Sequence, residues 1–332
     1  MAIYYILLFC SALIFSLQFL ITKHYQRRNG TGFLSSVRLS LFAYLAIALF
    51  FFIKGCITIK GLNVGFSWFT LLMTMLIAIV SLSCVYMGIK VLSVGDMSIY
   101  SVFMMLGSLV LPSLVGLLFY EEELTILKGI ALLCMFAAII FSVSGVDKDK
   151  FTLKELLYYI GIFVMNGMIG VLFTVHQNQP ELTASVMTNA DGTFIVNNDV
   201  FMTWYGLSTV ILCSAFYLVT FILQKVKGKR NSEGAETVTE NAAVGKSKVK
   251  GFLVSIALAA IYGLCNGLGD YFIALATQPH ALGSSVTFPI INGGTILFST
   301  LVGIVLYKEK LKRTTVVSLV LVIVATVLFM FV

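Results

Sequence analysis

The chain has 332 residues, 59% of them apolar and only 11% charged, with a mean hydropathy of +1.00. That balance excludes a soluble globular domain. The net charge of +7 does not point to a nucleic-acid partner, because the cations collect in the segments between apolar runs.

Ten apolar runs cover 2–22, 33–54, 66–89, 96–120, 124–145, 152–176, 200–224, 251–277, 281–307 and 311–332. A bilayer core of about 30 Å takes about 20 residues of helix, so each run is long enough to cross it. Their apolar character is continuous and not alternating, which predicts helices rather than a barrel. The first run has no Lys or Arg ahead of it and basic residues directly after it, so it reads as a span and not as a cleaved leader. With successive loops assigned to alternate sides, 19 of the 22 Lys and Arg share one side, all but Lys54, Lys60 and Lys128. This asymmetry predicts a multi-pass cell-membrane protein with that side cytoplasmic and both termini outside.

In the first run Gln18, near the cytoplasmic end, reads as an interfacial residue. Helices three and four carry Tyr86, Tyr100, Ser101, Met104 and Met105, which either line a cavity or pack as ordinary bundle side chains. Pro112 lies eight residues from the outer end of the fourth run. The acidic run Glu121, Glu122 and Glu123 opens the fifth helix, where negative charge suits a helix N-terminus, and Glu309 is expected to serve the tenth likewise. Residues 146–151 form a polar joint between a first unit, 1–145, and a second, 152–332.

In the second unit Asn166 falls near the middle of the sixth run. The external segment 177–199 reads as a lid or as a disordered loop, and the cytoplasmic segment 225–250 as a flexible linker. In "YGLCNGLGDYF" (262–272), Tyr262, Asn266 and Asp270 stand four apart and form one stripe of the eighth helix, beside a close-packing strip of Gly263 and Gly267. Asp270 lies about 10 Å from the outer helix end. It either binds a proton or a cationic part of a solute, or reaches the outer interface and pairs with Lys128. Asn292 falls at a depth like that of Asn166 and Asn266, so three amides line a solute site or bond helix to helix. Pro289, also eight residues from an outer end, predicts with Pro112 a bend and an external gate. Gly293 and Gly294 either loosen that helix or pack closely.

The six cysteines lack CxxC spacing, and His24, His176 and His280 fall at separate helix ends, so no metal and no other cofactor is expected. Without a GxxxxGK[ST] loop the chain does not hydrolyse ATP, and without clustered acids or a nucleophile with its base it does not read as an enzyme, the alternatives being a lipid-modifying enzyme or a receptor.

"SLVGLLFYEEEL" (113–124) and "TLVGIVLYKEKL" (300–311) are identical at six of twelve positions, at an offset of 187 that also pairs Met105 with Asn292. The chain thus reads as two copies of a five-helix unit. An odd number of spans inverts the second copy, as in secondary transporters with a midplane site between repeats. The stretches 117–145 and 305–329, with Glu122, Leu124 and Thr125 matched by Glu309 and Leu311, resemble the EamA-like branch of the drug/metabolite transporter superfamily. Lys312 replaces the second threonine, and the opening "FSLQFLITK" (15–23) lacks the family's tryptophan-glycine pair. The resemblance implies a ten-span carrier, monomeric or homodimeric, of a small metabolite, amino acid or drug-like compound.

Overall fold

The computed structural model describes residues 2–58, 65–94, 97–119, 125–144, 153–188, 194–231, 242–276, 284–309 and 312–331. The acidic run 121–123, Leu124, the joint 146–151, His280 and Leu311 lie outside them. Ten helices follow in order: α1 Ala2–Asn29, α2 Phe33–Thr58, α3 Trp68–Val94, α4 Met97–Phe119, α5 Ile126–Ser144, α6 Leu153–Gln177, α7 Asn198–Asn231, α8 Ala242–Ala276, α9 Ser284–Tyr307 and α10 Arg313–Met330. Seven of them, all but α4, α5 and α10, hold a stretch long and apolar enough to cross a membrane, while those three carry shorter apolar segments. The outward faces are apolar, with Ile6, Leu49, Leu72, Leu133, Leu218 and Val305 all exposed. A surface of that kind belongs in lipid, and the chain is a multi-pass membrane protein.

Three boundaries depart from the sequence expectation. Helix α1 continues seven residues past 22 because its last turns pack inward: Lys23 and Tyr25 are buried, and the Tyr25 hydroxyl donates to the Ser35 carbonyl at 3.2 Å. Gly30, at φ 77°, then ends it in the left-handed conformation that only glycine adopts freely. The segment 225–250 is not a flexible linker throughout, since α7 runs to Asn231 and α8 begins at Ala242, and 232–241 lies outside the described residues. The segment 177–199 is not a featureless loop. It holds a 3-10 turn at Pro180–Leu182 and an antiparallel pair, β1 Val186–Thr188 and β2 Phe194–Val196. Thr70 Oγ1 anchors it by accepting the Ala184 N–H at 2.9 Å, and Ser67 Oγ by donating to the Leu182 carbonyl.

Helices pack chiefly as α2 on α7, α4 on α9 and α5 on α10, with α1 on α8 and α9, α6 on α3 and α4, and α2 on α8 as α7 on α3. Advancing every helix number by five maps this set onto itself. Directions obey the same exchange with a reversal. Gly107 meets Phe163 and Pro112 meets Gly170, so α4 and α6 run parallel. Ala12 meets Gly294 and Lys23 meets Glu309, so α1 and α9 run parallel too. Lys23, near the C-terminal end of α1, and Met97, at the start of α4, share one carboxylate, so the two pairs run in opposite senses.

Small residues make these crossings close. A β-carbon on Gly263 would overlap the Ala43 carbonyl, and one on Gly107 that of Phe163; one on Gly206 would stand 2.7 Å from the Ala48 nitrogen. The strip predicted on the eighth helix is therefore a packing seam against α2. Gly294 and Gly293 are likewise packed, on Ala12 and on Thr326.

Among the described residues, two ion pairs fasten opposite ends of the bundle. Lys23 Nζ lies 2.8 Å from Glu309 Oε1 with both side chains under 10% exposed, and the same oxygen accepts the Met97 N–H at 2.9 Å. Glu309 therefore caps α4 and not α10, because the turn after α9, with Lys308 at φ 55°, folds it back under the bundle. Tyr307 offers its ring to Lys23 and Arg27, 4.1 and 4.7 Å from the centroid. At the other end Lys54 Nζ reaches Asp199 at 2.7 Å and the Tyr271 hydroxyl at 2.8 Å, tying α2, α7 and α8.

Gly263→Ala is expected to lower the melting temperature in detergent by an amount equivalent to about 1–3 kcal/mol of overpacking. Gly129→Ala, in open space on α5, is expected to be neutral or slightly stabilising. Equal effects at the two sites would contradict the seam. Glu309→Gln leaves the Lys23 charge buried without its partner, a loss of about 3–5 kcal/mol. The double variant Lys23→Met/Glu309→Gln is expected to recover much of that loss, measured by the same unfolding assay.

Candidate functional site

Two faces of α8 do different work. One carries the glycine seam that draws α2 to backbone contact, and the neighbouring face then turns Tyr262, Asn266 and Asp270 toward α1 and the bundle interior. Helix α1 comes equally close, since a β-carbon on Gly269 would sit 2.6 Å from the Phe15 ring and Ser11 Oγ donates to the Gly269 carbonyl at 3.2 Å. This approach puts Gln18 opposite Asn266.

The side chains form a directed chain of hydrogen bonds. Gln18 Nε2 donates to Asn266 Oδ1 at 2.8 Å, and Asn266 Nδ2 donates to Asp270 Oδ2 at 2.8 Å. An ionised carboxylate only accepts, so Asp270 fixes which way the Asn266 amide turns, and Asn266 fixes Gln18 in the same way. Gln18 is 2% exposed, and its Oε1 is left without a hydrogen-bond partner. Asn266 and Asp270 are half-buried. Asp270 takes no part in either ion pair, and Lys128 is not its partner.

Tyrosines surround the carboxylate. The Tyr44 and Tyr205 hydroxyls are 2.7 Å apart, Ser81 Oγ joins Tyr205 at 2.5 Å, and Tyr44, Tyr205 and Tyr262 all lie within electrostatic reach of Asp270. Tyr100 neighbours Tyr262 and meets Phe19 edge-on at 5.0 Å between centroids. Five helices, α1, α2, α3, α7 and α8, thus supply the Gln18, Tyr44, Ser81, Tyr205 and Asp270 groups.

Other candidates lie elsewhere. Asn166 Nδ2 donates to the Met104 carbonyl at 2.7 Å, a bond between α6 and α4. Asn292 Oδ1 is 3.0 Å from Ser108 Oγ, a hydroxyl also 2.9 Å from the Met105 carbonyl, and Asn292 Nδ2 has no partner. The three amides therefore split into two groups: Asn166 and Asn292 are held one turn apart on α4, while Asn266 bonds only Gln18 and Asp270. Met105 is buried in the core around α4. Tyr86 is turned away, edge-on to Phe33 at 5.5 Å with Lys90 over its ring. Pro112 and Pro289 both lie inside continuous helices. His176 is buried at the end of α6, 3.2 Å from Thr70 Oγ1 and stacked between Phe69 and Phe201.

The sequence missed Gln18, Tyr44, Ser81 and Tyr205 as members of the site. Gln18 carried the one available signal, an uncharged amide inside an apolar run. The tyrosines and serine look in sequence like many others.

No family model matches the chain, and no curated protein matches it. Among solved structures it is similar to one described only as "Crystal structure of protein", with a TM-score of 0.58 and 11% identity over 98% of this chain and 94% of the other. At that identity the likeness concerns the fold alone.

Proposed function

We propose that the protein is a secondary carrier that moves a small solute across the cell membrane by alternating access, with Asn266 and Asp270 in its binding site. Ten spans form two inverted five-helix repeats of the kind the EamA-like resemblance implies, with both termini outside. Support for the repeats comes from the helix packing, which maps onto itself with reversed direction when each helix is advanced by five. The observation that carries the reading is the Asp270 carboxylate, which lies between helices of both halves with no cation beside it among the described residues. An ionisable group in the hydrocarbon region costs about 2.5–3.5 kcal/mol on insertion scales. That cost is tolerated where water or a solute reaches the group, and Asp270 keeps accessible surface.

In this reading the ion pairs Lys23–Glu309 and Lys54–Asp199 close the two ends of the pathway in alternation. Pro112 and Pro289, on the crossing pair α4 and α9, with Gly293 and Gly294 beside the second, serve as the points about which these helices bend. The titratable groups facing Asp270 are Tyr44, Tyr205 and Tyr262.

Proteoliposomes containing the purified chain are expected to take up or exchange at least one member of a panel of labelled amino acids and small metabolites. Asp270→Asn is expected to cut that flux by about tenfold or more, a loss of about 1.4 kcal/mol or more, and to flatten its dependence on pH between 5 and 8. Unchanged flux and pH dependence would remove Asp270 from the mechanism, and absence of any flux would count against the carrier.

A further inference from the structure

The hydrogen-bonding direction at the site identifies what it lacks. Along Gln18, Asn266 and Asp270 one N–H of each amide points toward the carboxylate, and Gln18 also lies within hydrogen-bonding reach of the Tyr262 hydroxyl. The acceptors left short are Gln18 Oε1, buried and without a partner, and the carboxylate itself, whose one hydrogen-bond donor among the described residues is Asn266. A buried acceptor left unmade carries a full desolvation cost, and an uncompensated carboxylate carries more. A ligand that brings N–H donors and positive charge relieves both at once.

The two lysines on the flanking helices do not supply that charge. Lys23 of α1 is held by Glu309, and Lys54 of α2 by Asp199 and the Tyr271 hydroxyl. The tyrosines near the carboxylate, Tyr44, Tyr205 and Tyr262, carry rings whose faces are electron-rich and attract an alkylammonium but not a carboxylate or phosphate. A compact ammonium offers three donors in different directions, so a single group can serve more than one acceptor.

From this complementarity we infer that the solute is a small protonated amine, its ammonium group bound by the Asp270 carboxylate and by Gln18 Oε1. The inference rests on the carrier reading for its biological setting, but binding is measurable without transport. Gln18 is thereby a binding residue, and its distinct part is to donate one side of its amide to Asn266 while presenting the other to the ligand.

The test uses the detergent-purified full chain and three probes, methylammonium, butylammonium and 2-phenylethylammonium chloride, read by thermal unfolding and by calorimetry. Butan-1-ol and 2-phenylethanol serve as neutral matches, and sodium and potassium chloride at the same ionic strength as inorganic cations. At least one amine is expected to raise the melting temperature in a saturable way, as a ligand of the folded state must, while its alcohol and the salts do not. Gln18→Met and Asp270→Asn are each expected to weaken binding of that amine by about tenfold or more. Gel filtration and the ligand-free melting temperature check that each variant folds, and if Asp270→Asn does not, Gln18→Met decides. No stabilisation by any of the amines, an equal effect from sodium or an alcohol, or undiminished amine affinity in Gln18→Met would overturn the inference. Flux of other solutes without amine binding would sink the inference and leave the carrier standing. Amine binding without any flux would do the reverse.

Discussion

Lipid tails are as apolar as the side chains they touch, so helices in a bilayer are not driven together by the hydrophobic effect, and close backbone approach has to supply the attraction. Everything else in this fold depends on that constraint. Gly263 against Ala43, Gly107 against Phe163 and Gly206 against Ala48 bring backbones to distances that no larger residue permits. Dispersion contacts, individually about 0.1–0.2 kcal/mol, then accumulate along each crossing. The same closeness lets short side chains reach across, as Ser11 does to Gly269 and Ser16 to Thr295.

On α8 the seam and the site are consequences of one periodicity. Gly263 and Gly267 repeat every four residues, as do Tyr262, Asn266 and Asp270 one position away, so fixing the glycines against α2 also fixes where the polar stripe points. The polar groups do not hold the bundle together. They are carried to their places by small-residue contacts on the adjoining face. The ion pairs differ in kind: Lys23, Glu309 and the Met97 amide meet near the bundle end, where a desolvated pair gives little net stability but sets which helices meet.

The periodic features were legible in the sequence because a helix writes them locally. All ten helices, the glycine strip facing another helix, and the Tyr262, Asn266 and Asp270 stripe follow from spacing within one run. Contacts between runs were not legible. Gln18 lies 248 residues from Asn266, and nothing near either names the other. Glu309 reads as the cap of the helix that follows it, yet it serves α4, because the turn at Lys308 returns the carboxylate toward the bundle. Tyr86 and Tyr100 look alike by composition, but the rotation of α3 turns Tyr86 toward Phe33 while α4 turns Tyr100 inward. The ends of α7 and α8 were misjudged because polar helix formers continue a helix beyond the lipid as readily as apolar ones do within it.

The helix packing maps onto itself when helices are exchanged by five, but the chemistry at the exchanged contacts does not. Exchange by five helices maps the contact of α1 with α8 onto that of α6 with α3. In the first contact Gln18 meets Asn266 beside Asp270; in the second Gly161 of α6 lies against the thioether of Met87. Two interfaces of like geometry therefore differ in charge: the first carries a carboxylate beside its amides, while the second buries His176 against Thr70.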